Sequence, residues 1–240
     1  MLTRFAGNFG PPIAEWCFSR IIEHERHFTT TTHDQRNKQW EGSKDIVTKY
    51  RYLSSLTVSV LGCGDIGTHI ARVASTAFNM KTIGFGKSKR TSSNDYLFFD
   101  EYTTDLVTAL KSADYIISVL PSTPGTKLLL SHNDVLSHAS INKGGKKPVF
   151  INVGRGNVIN ESSLIYALDN NYLAAAMLDV FEIEPLPESS KLWGHPKITI
   201  SPHVIGLTQA KDVPCLFFEN YHRYVKGEQL LYVVDWDKGY

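Results

Sequence analysis

Short apolar runs alternate with helical patterns between residues 57 and 200. The apolar runs predict β-strands at 57–61, 81–85, 115–120, 148–152, 174–180 and 198–200. Helical patterns lie between them, the clearest from the glycine-rich turn to residue 78, at 103–111 and at 161–169. The apolar runs lack polar alternation, which is typical of strands covered by helices on both faces. Strands that alternate with helices predict βαβ units and an α/β fold with a Rossmann-like, doubly wound parallel sheet.

Helices are also predicted at both ends of the chain. The first spans 11–29, because two prolines suit its first turn and an apolar stripe with helical spacing follows: Ile13, Trp16, Cys17, Ile21 and Ile22. The polar stretch after it contains a shorter helical piece at about 34–40, and a last helix is predicted at 208–225. The Gly- and Lys-rich residues 142–147 predict a surface loop before the fourth strand.

Composition narrows the class of protein without identifying it. Of 240 residues, 42% are apolar and 20% are charged, as in an ordinary globular domain rather than a disordered or collagen-like chain. The 25 basic and 24 acidic side chains nearly cancel, so no overall basic excess supports nucleic-acid binding. The three cysteines have no CxxC spacing, which favours a reducing compartment and hence the cytoplasm. No apolar stretch suits a membrane span, and the first residues lack the apolar region of a signal peptide.

The sequence GCGDIG at 62–67 follows the first predicted strand and opens a helix. Gly62, Gly64 and Gly67 match the G-x-G-x-x-G pattern, whose glycines allow a tight turn, a close approach of pyrophosphate and helix–strand packing. The start of the helix supplies free N–H groups for phosphate, so Asp65 and Ile66 are also predicted to contact the cofactor. The alternative is an ordinary tight turn between a strand and a helix.

The residues after the second predicted strand indicate which dinucleotide is bound. The glycine pattern usually places an acid about 20 residues further on, where it holds the adenosine ribose. Here the segment carries Lys87, Ser88 and Arg90, and no Asp or Glu occurs from 81 to 94. A carboxylate would repel a 2′-phosphate, whereas these side chains would bind it. NADP(H) is therefore predicted in preference to NAD(H), which stays possible if the segment is only a solvated basic loop.

Three further polar residues follow predicted strands. Arg155 lies in NVGRG at 152–156, Glu184 in DVFEIEPLP at 179–187 and His203 in SPHVIG at 201–206. Because loops beyond the carboxyl ends of parallel strands form the ligand crevice, we expect these residues to converge. The arginine suits a carboxylate, the histidine can give a proton to a forming alkoxide, and the glutamate would orient that histidine. The set suits hydride transfer to a 2-oxo acid, although each residue alone is also compatible with a surface or structural position.

Together these motifs resemble those of the D-isomer-specific 2-hydroxyacid dehydrogenases in order and in spacing. The resemblance covers nearly the whole chain, from about residue 2 to residue 240. Within the family, KLWGHP at 191–196, the ending VDWDKGY and the loop FGKSKR at 85–90 are most similar to the glyoxylate/hydroxypyruvate reductase A branch. That branch favours NADPH.

The resemblance implies a role for each matching residue. Arg155 would bind the substrate carboxylate and carbonyl, His203 would be the acid and base, and Glu184 would be its partner. Asp179 would hold the nicotinamide carboxamide. The further cofactor contacts that the family pattern implies are Leu120, Pro121, Thr126, Val153 and Gly206.

The resemblance also implies an architecture. Family members have two Rossmann-like lobes around a cleft and are usually homodimers. Residues 8–205 would form the NAD(P)-binding domain, with a crossover helix and a dimer arm at its start, and residues 206–240 the returning helix and tail of the substrate lobe. Because Met1 matches a position almost at the crossover, most of the N-terminal substrate lobe would be lacking, and only remnants of it are expected.

The predicted activity is NAD(P)H-dependent reduction of a 2-oxo acid, glyoxylate or hydroxypyruvate, by hydride transfer. The expected partners are this small acid and a second copy of the chain, without nucleic acid or membrane. The alternative is a truncated, non-catalytic dinucleotide-binding module that acts through protein partners. A formate dehydrogenase is disfavoured, because that group usually has glutamine at the position of Glu184. No metal site is predicted, because His24 and His27 lack a third ligand nearby in the sequence.

Overall fold

The computed structural model describes residues 1–88, 97–131, 135–141 and 146–236. The described residues form a sheet of seven parallel strands in the order β3-β2-β1-β4-β5-β6-β7. The strands are β1 (Thr57–Leu61), β2 (Lys81–Phe85), β3 (Glu101–Thr103), β4 (Tyr115–Ser118), β5 (Val149–Asn152), β6 (Ala175–Leu178) and β7 (Ile198–Ile200). This arrangement confirms the predicted α/β fold with a doubly wound parallel sheet.

The direction in which strands are added reverses next to β1. The chain first moves outward from β1 to β2 and β3, and then returns to place β4 on the other side of β1. In open α/β sheets, the loops that diverge at such a point leave a crevice at the carboxyl ends of the strands. The loops after β1 and β4 therefore border the predicted dinucleotide site.

Helices cover both faces of the sheet. The α-helices of the described residues are α1 (Gly10–Glu25), α2 (Phe28–Arg36), α3 (Lys44–Val47), α4 (Asp65–Phe78), α5 (Leu106–Lys111), α6 (Glu161–Asp169) and α7 (Val213–Val225), of which α1, α4, α5 and α6 cover the sheet. α1 and α4 pack together over one face, where the buried core includes Ile21 and Ile117. α5 and α6 cover the other face, whose core includes Ile116 and Leu168. Ile116 and Ile117, which are neighbours on β4, thus lie in different cores. Because both faces of the strand are buried, its sequence is apolar without polar alternation.

Two predicted helices differ from the structure near the N-terminus. The first ends at Glu25 rather than at 29, because His27 has a left-handed backbone with φ of 53°. The prediction of a helix at 34–40 is wrong in position, since the structure has α2 at Phe28–Arg36. At the other end of the chain, α7 begins at Val213 rather than at 208, with a proline in its first turn.

The strand predictions agree better, and one strand was not predicted at all. The strands predicted at 57–61, 81–85 and 198–200 agree with the structure residue by residue. Those predicted at 115–120, 148–152 and 174–180 are shorter in the structure by one to three residues. β3 lies where the predicted helix at 103–111 begins, and α5 starts only at Leu106. Asp105 caps α5 by accepting the N–H of Thr108 at 3.0 Å. In the predicted surface loop at 142–147, residues 142–145 lie outside the described residues.

A buried polar cluster joins α1 to the amino ends of the strands. Glu25 is 5% exposed and accepts hydrogen bonds from Arg51 Nη2 at 2.5 Å and from the Tyr115 hydroxyl at 2.7 Å. Arg51 also pairs with Asp114, which accepts the backbone N–H of Thr57 at 2.9 Å. Burial raises the pKa of the Glu25 carboxyl, but the hydrogen bonds and the charge of Arg51 outweigh it and hold that pKa below its usual value. We call Glu25, Arg51, Asp114 and Tyr115 the Glu25 cluster.

The terminal segments pair with each other, and the last helix lies on the surface. Arg4 N donates to Tyr232 O at 2.9 Å, and Val234 N donates to Leu2 O at 2.9 Å. In α7, every residue of which is described, no residue is buried, and Tyr224 is 73% exposed. Among the described helices, none combines the length and the apolar character needed to cross a membrane.

Candidate active site

The glycine turn after β1 has the geometry that a bound dinucleotide requires. Gly62 has φ of +104°, a backbone conformation that residues with a Cβ rarely adopt. A Cβ at Gly67 would lie 1.9 Å from Gly62 O, so only glycine lets α4 approach the turn this closely. At Gly64, no described atom lies within 4 Å of a Cβ position, so open space remains beside the turn. The turn therefore fits a nicotinamide dinucleotide, whose pyrophosphate needs that space.

α4 begins directly beside this open space. Its N-cap is Gly64, and Asp65 and Ile66 form its first turn. The first N–H groups of a helix have no partner within the helix and carry the positive end of its dipole. An anion beside Gly64 would meet these groups, which suits the pyrophosphate of the predicted cofactor.

The basic segment lies just beyond β2. Lys87 and Ser88 are both exposed there, and β2 pairs with β1, so the segment is on the same edge of the sheet as the glycine turn. The two are directly connected, because Gly62 N donates to Phe85 O at 2.9 Å. The third predicted phosphate contact, Arg90, lies outside the described residues.

The loop after β4 borders the glycine turn on its other side. A Cβ at Gly62 would lie 3.1 Å from Val119 O, so the two backbones are close. Leu120 is buried, and the turn that follows is closed by Thr126 Oγ1, which donates to Pro121 O at 2.5 Å. The structure therefore places these three predicted cofactor contacts in one well-bonded loop beside the turn.

Arg155 is exposed in the loop after β5. The side chain of Asn152 shapes this loop, because it donates to Arg155 O at 3.0 Å and accepts the N–H of Gly154 at 3.3 Å. Arg155 Nη1 in turn donates to Gly154 O at 2.8 Å. A Cβ at Gly156 would lie 1.9 Å from Phe181 C, so this loop packs directly against the loop after β6.

Glu184 and His203 form a hydrogen-bonded pair between the loops after β6 and β7. His203 Nδ1 lies 2.7 Å from Glu184 Oε2, and Glu184 Oε1 accepts the N–H of Phe181 at 2.9 Å. Partial burial raises the pKa of the Glu184 carboxyl, but the hydrogen bonds from His203 and Phe181, with the charges of His203 and Arg155, hold that pKa below its usual value. An ionised Glu184 keeps a proton on Nδ1 and leaves Nε2 for another partner. The imidazole is 51% exposed, so a ligand can reach it.

Asp179 anchors the loop that carries His203. This acid is 1% exposed, and its Oδ1 accepts from Ser201 Oγ at 2.5 Å and from Val204 N at 3.1 Å. Its Oδ2 accepts from Ile205 N at 3.4 Å. These bonds frame His203, whose backbone is left-handed with φ of 52°. Sequence reasoning predicts only a nicotinamide contact for Asp179, and that contact stays a prediction.

The two residues predicted to line the nicotinamide ring lie on the α1 side of the sheet. Val153 is 7% exposed directly after β5, and its N–H donates to Ser118 O at 3.0 Å. Gly206 faces α1, where a Cβ would lie 3.5 Å from Ile13 Cδ1. Both positions therefore border the crevice near the N-terminal half of α1.

Strand order explains which predicted residues come together. β5, β6 and β7 are neighbours, so Arg155, Glu184 and His203 share one end of the carboxyl edge, while Lys87 and Ser88 lie on the opposite side of the glycine turn. Sequence reasoning did not find the structural residues around the site, which are Asn152, Ser201 and the N–H of Phe181. Asn152 had a recognisable signal, because asparagine often bonds the backbone two residues further on.

A dinucleotide turn beside a histidine–glutamate pair and an arginine defines a class of protein, the NAD(P)-dependent oxidoreductases that act on CH–OH groups. Residues 18–204 match the family model "D-isomer specific 2-hydroxyacid dehydrogenase, NAD binding domain". The chain belongs to this family, which confirms the resemblance predicted from its motifs.

Individual relatives agree with this assignment. Glyoxylate/hydroxypyruvate reductase A of Photorhabdus laumondii subsp. laumondii is 28% identical over 232 residues, which cover 96% of this chain and 69% of that protein. The crystal structure of a family member from Aeromonas salmonicida subsp. salmonicida is 36% identical, with a TM-score of 0.84, covering 98% of this chain and 72% of that one. The NADPH-dependent glyoxylate/hydroxypyruvate reductase of Sinorhizobium meliloti, solved with NADP and sulfate, is 28% identical, with a TM-score of 0.86, covering 100% of this chain and 73% of that one.

Proposed function

We propose that this chain catalyses the NADPH-dependent reduction of a small 2-oxo acid, glyoxylate or hydroxypyruvate, to the 2-hydroxy acid. The observation that carries the proposal is the pair formed by His203 and Glu184, 2.7 Å apart, at the edge of the sheet where Arg155 also lies. The relatives from Photorhabdus laumondii and Sinorhizobium meliloti are named as reductases of these two acids.

His203 would be the acid and base of the reaction. Because Glu184 holds Nδ1, Nε2 is the nitrogen that faces a substrate. When the carbonyl group is reduced, its oxygen gains negative charge, and His203 Nε2 donates a proton to it. In the opposite direction the same nitrogen accepts the hydroxyl proton. Glu184 stabilises the imidazolium before the transfer, and its own lowered pKa keeps it ionised at neutral pH.

Arg155 would bind the carboxylate of the substrate through its planar guanidinium. In a 2-oxo acid the carbonyl is next to the carboxylate, so binding at Arg155 also places the carbonyl and polarises it. The hydrogen bonds of Asn152 to the backbone around Arg155 restrict the loop before any substrate arrives. Such preorganisation reduces the freedom that substrate binding has to remove.

The cofactor would lie across the carboxyl ends of the central strands. When bound, its reduced nicotinamide supplies the hydride that reduces the carbonyl carbon. Gly62, Gly64, Gly67 and the N–H groups of the first turn of α4, at Asp65 and Ile66, would hold its pyrophosphate. The contacts proposed along the rest of the molecule are Leu120, Pro121, Thr126, Val153, Asp179 and Gly206.

The proposed preference for NADP(H) depends on the segment after β2. Lys87 and Ser88 are exposed there, and both can bind a 2′-phosphate, with Arg90 as a third contact from outside the described residues. No acid stands in this segment to repel that phosphate. The Sinorhizobium meliloti relative is NADPH-dependent, which supports the same preference.

We also propose a homodimer in which residues 28–49 form the contact arm. In each chain, residues 8–205 would form the NAD(P)-binding domain, and residues 206–240 would form the segment that returns to the substrate lobe. α2, which is described in full, has no buried residue, and Trp40 is 91% exposed. Exposed aromatic side chains are enriched in protein interfaces. Light scattering should give a dimer for the wild type and a smaller species for Trp40→Ser, and a monomeric wild type would overturn the proposed homodimer.

Oxidation of NADPH by the purified 240-residue chain tests the proposed reaction. Glyoxylate and hydroxypyruvate are offered in turn, NADH is run beside NADPH, and cofactor binding is followed by fluorescence in the same samples. Turnover with NADPH as the better cofactor is the expected result. Binding without turnover would contradict the enzymatic proposal and favour a dinucleotide-binding module that acts through protein partners.

A further inference from the structure

The side chain of Tyr102 lies across the end of β2. Tyr102 belongs to β3, the edge strand that pairs with β2, and its hydroxyl donates to Ser88 O at 2.9 Å. A Cβ at Gly86 would lie 2.1 Å from the Tyr102 hydroxyl oxygen, and one at Gly84 would lie 3.0 Å from its ring Cδ2. The ring therefore runs along β2 from Gly84 to Gly86, and its hydroxyl ends at the basic segment.

The backbone beneath this ring is fixed on both sides. Gly86 N donates to Thr103 O at 3.2 Å, which attaches it to β3. Phe85 O accepts the N–H of Gly62 at 2.9 Å, which attaches the end of β2 to the glycine turn. Beyond Gly86 the segment leaves the sheet, and the bond from Tyr102 holds it at that point.

We propose that Tyr102 is a positioning residue for NADP(H), because it holds Lys87 and Ser88 where they bind the 2′-phosphate of the adenosine ribose. This inference rests on the proposed function, which assigns those two residues to that phosphate. An exposed segment loses conformational freedom when it binds an anion, and a segment that is already anchored loses less. The Tyr102 hydroxyl also donates a hydrogen bond to the carbonyl oxygen of Ser88. The partial negative charge of this oxygen therefore faces a hydrogen-bond donor and does not face the phosphate.

The effect is confined to the phosphate-binding segment. The bond between Gly62 and Phe85 does not involve Tyr102, so the glycine turn keeps its attachment to β2 when the hydroxyl is removed. The Tyr102 ring itself remains against Gly84 when only the hydroxyl is lost. Ligands that carry a 2′-phosphate are therefore weakened, while ligands that reach only the glycine turn are not.

Binding of 2′,5′-ADP and of 5′-ADP to Tyr102→Phe, measured by calorimetry, tests this inference without turnover. The first probe carries the 2′-phosphate and the second lacks it. Loss of one hydrogen bond should weaken 2′,5′-ADP about fivefold and leave 5′-ADP nearly unchanged. Tyr166→Phe is the matched control, because Tyr166 is half exposed on α6, on the other side of the site, and should bind both probes as the wild type does.

Each outcome separates this inference from the proposed function. An unchanged affinity of Tyr102→Phe for 2′,5′-ADP would overturn the inference, and so would an equal loss for both probes. A wild-type protein that binds both probes equally would instead overturn the proposed preference for NADP(H). Gly86→Ala is a second test of the inference. Its Cβ would occupy the place of the Tyr102 hydroxyl, so the variant should show the same selective loss of affinity for 2′,5′-ADP. Thermal unfolding of each variant should show that the folded state is retained.

Discussion

Glu184 Oε2 lies 2.7 Å from His203 Nδ1, and this bond joins the loops after two neighbouring strands into one acid–base unit. The histidine is held from a second side, because Asp179 accepts the N–H of the next residue, Val204, at 3.1 Å. Glu184 is itself held by the N–H of Phe181. The orientation of the imidazole is therefore set by the protein before a substrate binds.

His203→Ala should abolish turnover and leave cofactor binding intact. Removing a positioned acid and base lowers rates by about 10² to 10⁴, whereas the glycine turn that would hold the cofactor is not altered. Steady-state kinetics and NADPH fluorescence measure the two effects separately. His195→Ala is the matched control, because His195 also pairs with an acid, Asp169, but outside the site. Equal activity of the two variants would contradict the assigned role of His203.

Glu184→Gln should reduce turnover and leave cofactor binding intact. The amide keeps an oxygen that can accept the Nδ1 proton of His203, but it removes the negative charge that faces the imidazole. A fall of about tenfold in kcat is expected. Steady-state kinetics and NADPH fluorescence measure the two effects separately. Glu182→Gln, an exposed neighbour, should keep the wild-type kcat, and an unchanged kcat in Glu184→Gln would count against the pair.

Replacing Lys87 and Arg90 together by alanine should weaken NADPH and spare NADH. Both side chains are predicted to meet the 2′-phosphate, and charge-assisted hydrogen bonds are strong enough for a rise of about tenfold in the KM for NADPH. The ratio of kcat/KM for the two cofactors measures the change. Lys81→Ala, which removes a basic side chain paired with Glu101 at the other end of β2, should leave the ratio unchanged. An unaltered ratio in the double variant would remove the basis for NADP(H) preference.

Arg51→Met should destabilise the fold without touching the site. It would leave Glu25, which is 5% exposed, as a buried charge without its cation, at a cost of about 3–5 kcal/mol in the free energy of unfolding. Lys44→Met is the control, because Lys44 and its partner Glu41 are 60% and 64% exposed, and exposed pairs contribute about 0–1 kcal/mol. Urea denaturation measures both variants, and similar losses in the two would contradict the assigned importance of the Glu25 cluster.

Acid should unfold the protein through the Glu25 cluster. Glu25 has a lowered pKa in the folded state, so its contribution is complete above the unfolded-state pKa of about 4.3 and is lost as pH falls through the lower folded value. Burial lowers the pKa of the neighbouring His24, so its protonation below about pH 6.5 acts in the same direction. Urea midpoints should fall between about pH 7 and pH 3. Glu25→Gln should show a shallower fall below about pH 5, and a pH-independent midpoint in the wild type would contradict this account.

The predicted fold was accurate where local pattern and tertiary structure agree. β1 could be predicted residue by residue, because its apolar run ends at the glycine-rich turn. β3 could not, since this three-residue strand has no buried residue and exists through its pairing with β2. α2 was misplaced because its run of threonines has low helix propensity, so the polar pattern favoured a later start.

Some parts of the candidate site could also be predicted from the sequence, and others could not. The positions of Gly62, Gly64 and Gly67 could be predicted, because the tight turn that they form requires glycine at this local spacing. The hydrogen bonds from the His203 loop to Asp179 could not be predicted, because the donors include backbone N–H groups 25 and 26 residues further along the chain. Backbone groups have no residue-specific signal in a sequence, so such contacts appear only once the strands are assembled.

The product formed from hydroxypyruvate and NADPH distinguishes a working reductase from a module that only binds the cofactor. The wild-type chain should form D-glycerate, one molecule for each NADPH oxidised, and His203→Ala should form none above background while still binding NADPH. A folded wild-type protein that binds NADPH and forms no glycerate from hydroxypyruvate, and no glycolate from glyoxylate, would contradict the proposed reaction.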